Sequence, residues 1–262
     1  MTREEVRGVQ LESLVQFAEW CQAHDLRFHL AFGTLLGAVR HGGFIPWDDD
    51  VDLAMPRRDY ERFCRLFPAN PPGRLVLGSL ANRHRWPLPF AKVWDDRTVV
   101  EEHSQLELNA GVGLDVFPID SVHSHGVRRT GRLVLTRATR ALQALCSALP
   151  RSGRVRMKAL LLALAGPLVR LVGAHHLASA RNRVASQYLG QADHSSILVG
   201  PYLWSAPTPN VVETGHLRFE GLDLPAPADP SAVLGAIYGD YMTPPAASKQ
   251  VTHHLITAVW IE

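Results

Sequence analysis

At 262 residues, with 46% hydrophobic and 20% charged side chains, the chain has the composition of an ordinary globular protein, long enough for one large domain or two small ones. Its three cysteines, Cys21, Cys64 and Cys146, are odd in number, far apart and lack any CxxC pairing, which excludes a disulfide framework and a zinc knuckle and predicts small buried apolar residues. The net charge of +2 conceals a segregation: between Asp120 and Asp193 no acid occurs, while twelve of the 27 Lys and Arg residues do, leaving fifteen against all 25 acids elsewhere. A basic middle in an acidic body predicts an anionic partner.

The N-terminus MTREEVRGVQ carries acids and no apolar core, so a signal peptide is not expected and a reducing cytoplasm is. Thr2-Arg3-Glu4-Glu5 has the form of a capping box. Behind it Val6, Val9, Leu14, Phe17, Ala18 and Cys21 recur at helical spacing and predict one amphipathic helix over residues 3 to 23. Phe28 to Phe32 is a short apolar run ended by Gly33, followed by Leu35, Leu36, Ala38 and Val39 as a helical turn or two. The breakers in HGGFIP, residues 41 to 46, predict a loop leading to a strand from Asp50 to Met55, closed by Pro56. A helix from about Pro56 would carry Tyr60, Phe63, Cys64 and Phe67 inward. Further strands are predicted at Leu75 to Leu77, Phe90 to Trp94, Thr98 to Glu101 and Val112 to Phe117, giving an α+β fold in which a mixed sheet is flanked by helices.

The basic middle, Val127 to Leu189, reads as helices broken at Pro150, Gly153 and Gly166-Pro167. Its most apolar part, Ala159 to Val169, has eleven residues, against the roughly 20 a bilayer requires. Three readings stay open: an amphipathic hairpin on an anionic membrane surface, a cover that presents arginines to a polyanionic substrate, or a bundle with a solvated Arg-rich face. The absence of acids keeps the first two in play, because solvated faces normally mix signs. Toward the end, Ser231 to Tyr238 predicts a short helix, and the chain closes on a last strand that ends near Trp260.

The chemistry concentrates in PWDDDVDLAM, where Asp48, Asp49, Asp50 and Asp52 fall within five positions. Asp50 and Asp52 alternate with Val51 and Leu53, so in a strand both carboxylates face one way and repel unless something positive sits between them. With Asp115 in GVGLDVFPID as a third acid, they would form a hard-metal site for phosphate chemistry, suited to Mg2+ and also to Mn2+. Gly33 would let backbone approach a phosphate, and the amide and hydroxyl of Thr34 at a helix start would donate to it. A calcium loop is the alternative, since Asp48, Asp50, Asp52 and Asp59 stand at positions 1, 3, 5 and 12, but the sixth position is Leu53 where Gly is needed.

These residues also carry a resemblance. GTLLGAVRHGGFIPWDDDVDLAMPRRDYERF closely resembles the LicD family, which includes bacterial phosphocholine transferases and the fukutin-related transferases within the nucleotidyltransferase superfamily. Shorter matches lie at Lys92 to Thr98, Gly113 to Asp120, Phe219 to Leu222 and Tyr238 to Met242, with His253-His254 near the end. The resemblance implies a nucleotidyltransferase-like core, with Gly33-Thr34 at the family's phosphate turn, Asp50 and Asp52 at its metal pair and Asp115 at its third acid. It implies transfer of a substituted phosphate, phosphocholine or a polyol phosphate, from a CDP-linked alcohol to a sugar hydroxyl of a glycan or lipid-linked acceptor, with CMP leaving. No nucleic acid is expected.

Outside the triad, several roles stay open. Lys92 reaches a diphosphate or snorkels at a sheet edge. Arg40 contacts phosphate or makes a surface salt bridge, and Trp47 stacks on a base or covers the loop. Asp48 supports a ligand or caps the loop, and His253 and His254 position acceptor or metal, or do neither. The division expected is an N-terminal helix at 1–24, a catalytic core at 25–124, a basic helical insertion at 125–190 and a segment completing the core at 191–262. The same core chemistry would serve a transferase of nucleoside monophosphates from an NTP, and a non-catalytic calcium- or polyanion-binding module is the rival of another class. Peripheral contact with the inner membrane face is compatible with the basic insertion.

Overall fold

The computed structural model describes residues 1–101, 108–147, 172–187, 192–246, 248, 250 and 257–261. Pro150, Gly153, Gly166-Pro167, Ala159 to Val169, Leu189 and the pair His253-His254 lie outside the described residues, as does the side chain of Cys146. Helix α1 (Arg3–Ala23) starts on the predicted capping box: Thr2 Oγ1 accepts from the Glu5 amide, and the Glu5 carboxylate accepts from the Thr2 amide at 2.6 Å. It buries Leu14, Phe17 and Cys21 and meets α3 (Arg57–Leu66) edge to face, Phe17 on Phe63 with centroids 5.4 Å apart. Tyr60, Phe63, Cys64 and Phe67 all point inward as expected.

Between these helices and the rest lies a mixed sheet of β1 (His29–Leu30), β2 (Asp52–Pro56), β3 (Leu75–Gly78), β4 (Ala91–Asp95) and β6 (Gly113–Val122), in the order β1-β2-β6-β4-β3. Only β2 and β6 are parallel, with Asp52 opposite Asp115, and β4 runs antiparallel on the other side of β6 with Lys92 opposite the same Asp115. Strand β6 is longer than predicted, continuing through Pro118. Pro118 falls in the gap between the β4 pairing, which ends at Val116, and the pairing with β7 (His194–Ser196), which begins at Asp120, so its missing N–H interrupts neither ladder. Strand β2 starts two residues later than predicted, leaving Asp50 in the preceding loop.

Helix α2 (Phe32–His41) begins at Phe32, so Gly33 lies inside its first turn and does not precede it. Two further antiparallel pairs complete the described strands apart from β8 (Ala206–Pro207), which pairs with β7: β5 (Thr98–Glu101) with β11 (Thr257–Trp260), and β9 (Thr214–Phe219) with β10 (Leu222–Pro227). The β9–β10 turn is Glu220-Gly221 with φ of 50° and 81°, the positive pair that a two-residue hairpin demands. Short α6 (Thr208–Val212) precedes that hairpin, and α7 (Pro230–Tyr238) packs on α2.

From the basic middle, α4 (Val127–Ser147) and α5 (Ala174–Ala185) lie against each other. Two of its arginines are structural: Arg132 donates to the carbonyls of Ser121, Val184 and Ala185, and Arg181 to that of Val199 at 2.9 Å. No helix among the described residues is long and apolar enough to cross a membrane.

Candidate active site

The loop from Gly42 to Val51 delivers the aspartates to the C-terminal end of β1 and the start of β2, and it is held from two sides. From α1, Arg3 donates to the Pro46 carbonyl at 2.9 Å, Arg7 to that of Ile45 at 2.9 Å, and buried Gln10 to that of Asp49 at 2.8 Å. From the hairpin tip, the Glu220 carboxylate accepts from the Phe44 amide at 2.9 Å, while the Glu220 amide donates to the Gly42 carbonyl at 2.9 Å. A Cβ at Gly43 would overlap the Glu220 carboxylate and displace it from this position. Neither clamp is expected from the sequence, where Phe219 to Leu222 is a matching block with neither hairpin nor role assigned.

Gly33 and Thr34 meet this loop from below. A Cβ at Gly33 would overlap the Asp48 carboxylate, so the glycine is what lets an acid sit on the first turn of α2. Thr34 is buried, and its hydroxyl accepts from the Asp52 amide at 2.8 Å, fixing the backbone at the first residue of β2. The hydroxyl is thereby directed at the protein's own backbone.

The acids themselves are crowded. Asp48, Asp49 and Asp50 each offer a carboxylate oxygen within 4.8 Å of the others. Asp52 is driven well above the carboxylate range by burial first, then by Asp50, Asp115 and Asp48, with Lys92 opposing. Burial, followed by Asp50, pushes Asp48 up to about 7. Asp115 pairs with Lys92, whose Nζ lies 2.6 Å from its carboxylate. Asp52, opposite Asp115 in the sheet and within reach of Asp50 and Asp48, joins the loop acids to the strand pair.

Two cavities meet at Asp50. A cleft of about 500 Å³ is lined by Gly33, Arg40, Trp47, Asp48, Asp50 and Asp52 on one side. Its other wall is Phe32, Tyr202, Tyr238, Asp240 and Tyr241, an aromatic surface that the sequence reading missed. Tyr238 to Met242 was noticed as a matching block without a role; Tyr202 carried no signal. The Phe32 backbone is held at φ of 42°, and its ring packs at 5.2 Å from Phe117 and 5.8 Å from Tyr202, which lies 5.2 Å from Tyr238. Burial, Tyr202 and the nearby Asp52 and Asp48 keep the Tyr238 phenol protonated. Arg40 lines the cleft and donates to the Tyr241 carbonyl at 3.0 Å, and half-buried Trp47 meets His41 edge to face at 6.3 Å.

A second, narrow cavity of about 40 Å³ is lined by Asp49, Asp50, Lys92, Gly113 and Asp115. Lys92 and Asp115 thus lie across Asp50 from the main cleft. Asp95, in contrast, accepts from the Arg97 amide at 2.9 Å and is a turn residue.

An all-oxygen set of buried, mutually repelling carboxylates fits a hard divalent cation, which would relieve the burial cost and the repulsion together. Against the four cleft carboxylates, Arg40 is the one Lys or Arg among the described lining residues.

Comparison with known proteins agrees with this geometry. Residues 25–128 match the family model described as LicD/FKTN/FKRP, nucleotidyltransferase domain. Over 63 residues the chain is 46% identical to lipopolysaccharide cholinephosphotransferase LicD of Haemophilus influenzae, covering 24% of each chain. Over 38 residues it is 53% identical to ribitol 5-phosphate transferase FKRP of mouse and of human, covering 14% of this chain and 8% of the relative. The matches therefore span about a quarter or less of these curated relatives.

Proposed function

We propose, from the LicD/FKTN/FKRP nucleotidyltransferase domain that this chain carries over residues 25–128, that it is a divalent-metal-dependent transferase of a substituted phosphate. The donor is a CDP-linked alcohol, the acceptor a sugar hydroxyl of a glycan or lipid-linked sugar, and the leaving group CMP. The observation that carries this reading is the crowded acid cluster around Asp50, in which burial and the neighbouring acids hold Asp52 well above the carboxylate range, opening on a cleft of about 500 Å³. That volume suits a nucleotide-sized ligand.

Asp50 and Asp52 would hold Mg2+ or Mn2+, with Asp48 beside them. When bound, the metal supplies charge neutralisation at the donor phosphates. The remaining work falls to the protein. Thr34 fixes the Asp52 backbone, and the first turn of α2 directs its amides toward the acid loop. Asp115, paired with Lys92 and one pocket away, would accept the proton of an incoming hydroxyl. Lys92 accordingly acts on Asp115 and not on the donor. Phe32, Tyr202 and Tyr238 with Asp240 offer aromatic faces beside a carboxylate, which favours a cationic head group such as choline over a neutral polyol.

The rival, transfer of a nucleoside monophosphate from an NTP, is weaker here because a triphosphate would bring more negative charge to a cleft with four carboxylates and Arg40. Phosphorus NMR of the protein with Mg2+, a panel of CDP-alcohols and NTPs and mixed sugar acceptors separates the two. The expected result is CMP from CDP-choline, with turnover falling by at least about a thousandfold in Asp50→Asn and in Asp52→Asn. Pyrophosphate released from an NTP would replace this reading with the rival. Metal binding without turnover, unaffected by Asp115→Asn, would replace it with a binding module.

A further inference from the structure

Helix α4 is amphipathic in the sense opposite to that of an ordinary surface helix. Its buried positions are polar, Arg132, Thr136 and Thr139, with half-buried Leu133 packed against the core beside them. Its outward positions are apolar, with Val134, Leu135 and Leu142 exposed by 57%, 44% and 39%. Gly131, Ala138 and Ala141 are exposed between them, and the spacing of three and four makes one continuous stripe. Two of the three inward polar residues have partners, since Arg132 serves three carbonyls and the Thr139 hydroxyl donates to that of Leu135 at 2.9 Å. Among the described residues nothing accounts for the outward apolarity, since water-facing helices place such residues on the other side.

The charge around the stripe narrows what can cover it. Arg137 is exposed in its midst, Arg183 and His176 are exposed on neighbouring α5, and Val172 just before α5 is 50% exposed. From Ser121 to Ala192 there is no acid at all. A second copy meeting this face about a two-fold axis would set basic surface against basic surface. An apolar stripe flanked by arginine and free of acids suits a surface that is anionic at its headgroups and apolar beneath.

We propose that this face of α4 docks on an anionic phospholipid bilayer, Val134, Leu135 and Leu142 entering the boundary between headgroups and acyl chains while Arg137 and its neighbours meet lipid phosphates. The helix, about 31 Å long at 1.5 Å per residue, would lie in the plane of the interface. The face shares no residue with the cleft, so it holds whatever reaction the cleft performs.

Co-sedimentation of the full chain with vesicles tests it. Binding is expected to phosphatidylcholine vesicles containing about 30% phosphatidylglycerol, to weaken at high salt and to be absent from phosphatidylcholine alone. The triple variant Val134→Ser, Leu135→Ser, Leu142→Ser should bind at least about tenfold more weakly with an unchanged melting temperature. Arg137→Glu should lose binding chiefly at low salt, and Asp50→Asn should bind as the parent does. No binding to the acidic vesicles at low salt, or binding indifferent to the triple variant, would overturn the proposal. So would a drop in the triple variant's melting temperature, which means the chain covers its own stripe, or a self-association that the variant abolishes, which means a second copy does.

Discussion

Asp48 lies against the Gly33 backbone, and burial with its neighbour Asp50 pushes its carboxyl up to about 7. A carboxyl raised above its unfolded value makes the folded state hold a proton that the unfolded chain releases. In the metal-free protein the resulting cost is full above pH 7 and gone below about pH 4. Asp48→Asn should therefore stabilise metal-free protein at pH 8, by on the order of 1 to 2 kcal/mol after allowance for partial solvation, and leave it unchanged near pH 4. Adding Mg2+ should reverse the order, because the parent gains a countercharge for its acids and the variant gains less. Thermal melts with chelator and with Mg2+ at the two pH values read this directly; a variant destabilised at pH 8 without metal would mean Asp48 is a structural cap. An acid that costs stability until a ligand arrives is what a binding site does and a loop cap does not.

At the level of elements, the acid loop is suspended between α1 and the β9–β10 hairpin, two pieces of chain separated by some two hundred residues. Removing either support leaves a partly buried backbone group without its partner, which costs about 1 to 2 kcal/mol. Arg7→Met and Glu220→Ala should each do so, with Glu220→Gln close to the parent because its carbonyl still accepts from Phe44. Both supports hold one loop, so the double variant should depart from additivity, whereas two independent anchors would add. Urea unfolding of the cycle measures this, and amide exchange at residues 42 to 50 should quicken in each single variant. Periodicity marked α1, α3, α7, β1 to β6 and β11, because each obeys a local rule of cap, alternation or breaker, and gave no strand at β7 to β10. It ended β6 at Pro118 since a proline normally stops a strand, and only the change of partner at that point explains why this one does not. It placed Asp50 in β2 because alternation continues one pair past the ladder.

Across the whole molecule, the part of the site read from the sequence is the stretch Gly33 to Asp52, with Lys92 and Asp115 from two later strands. The cleft's other wall, Tyr202, Tyr238, Asp240 and Tyr241, comes from chain nearly two hundred residues later, and no local pattern announces that α7 returns to α2. The same closure joins β1 to β9, where fully buried His29 hydrogen-bonds Thr214 Oγ1 at 3.0 Å. Burial lowers its pKa to about 4, so the folded state keeps the ring neutral while the unfolded chain takes a proton near pH 6.5. The stability His29 confers is full above pH 6.5 and is lost as pH falls toward 4, up to about 3 kcal/mol by linkage. This is opposite in sign to Asp48, so the isolated effect is the difference between parent and His29→Gln. That difference should shift in favour of the variant between pH 6.5 and 4 in urea titrations at fixed salt, with the hairpin's amides the first to lose protection in the parent. A difference that stays flat across that interval would mean the imidazole is solvated on closure, and the junction between the early core and the late hairpin would then be looser than its packing indicates.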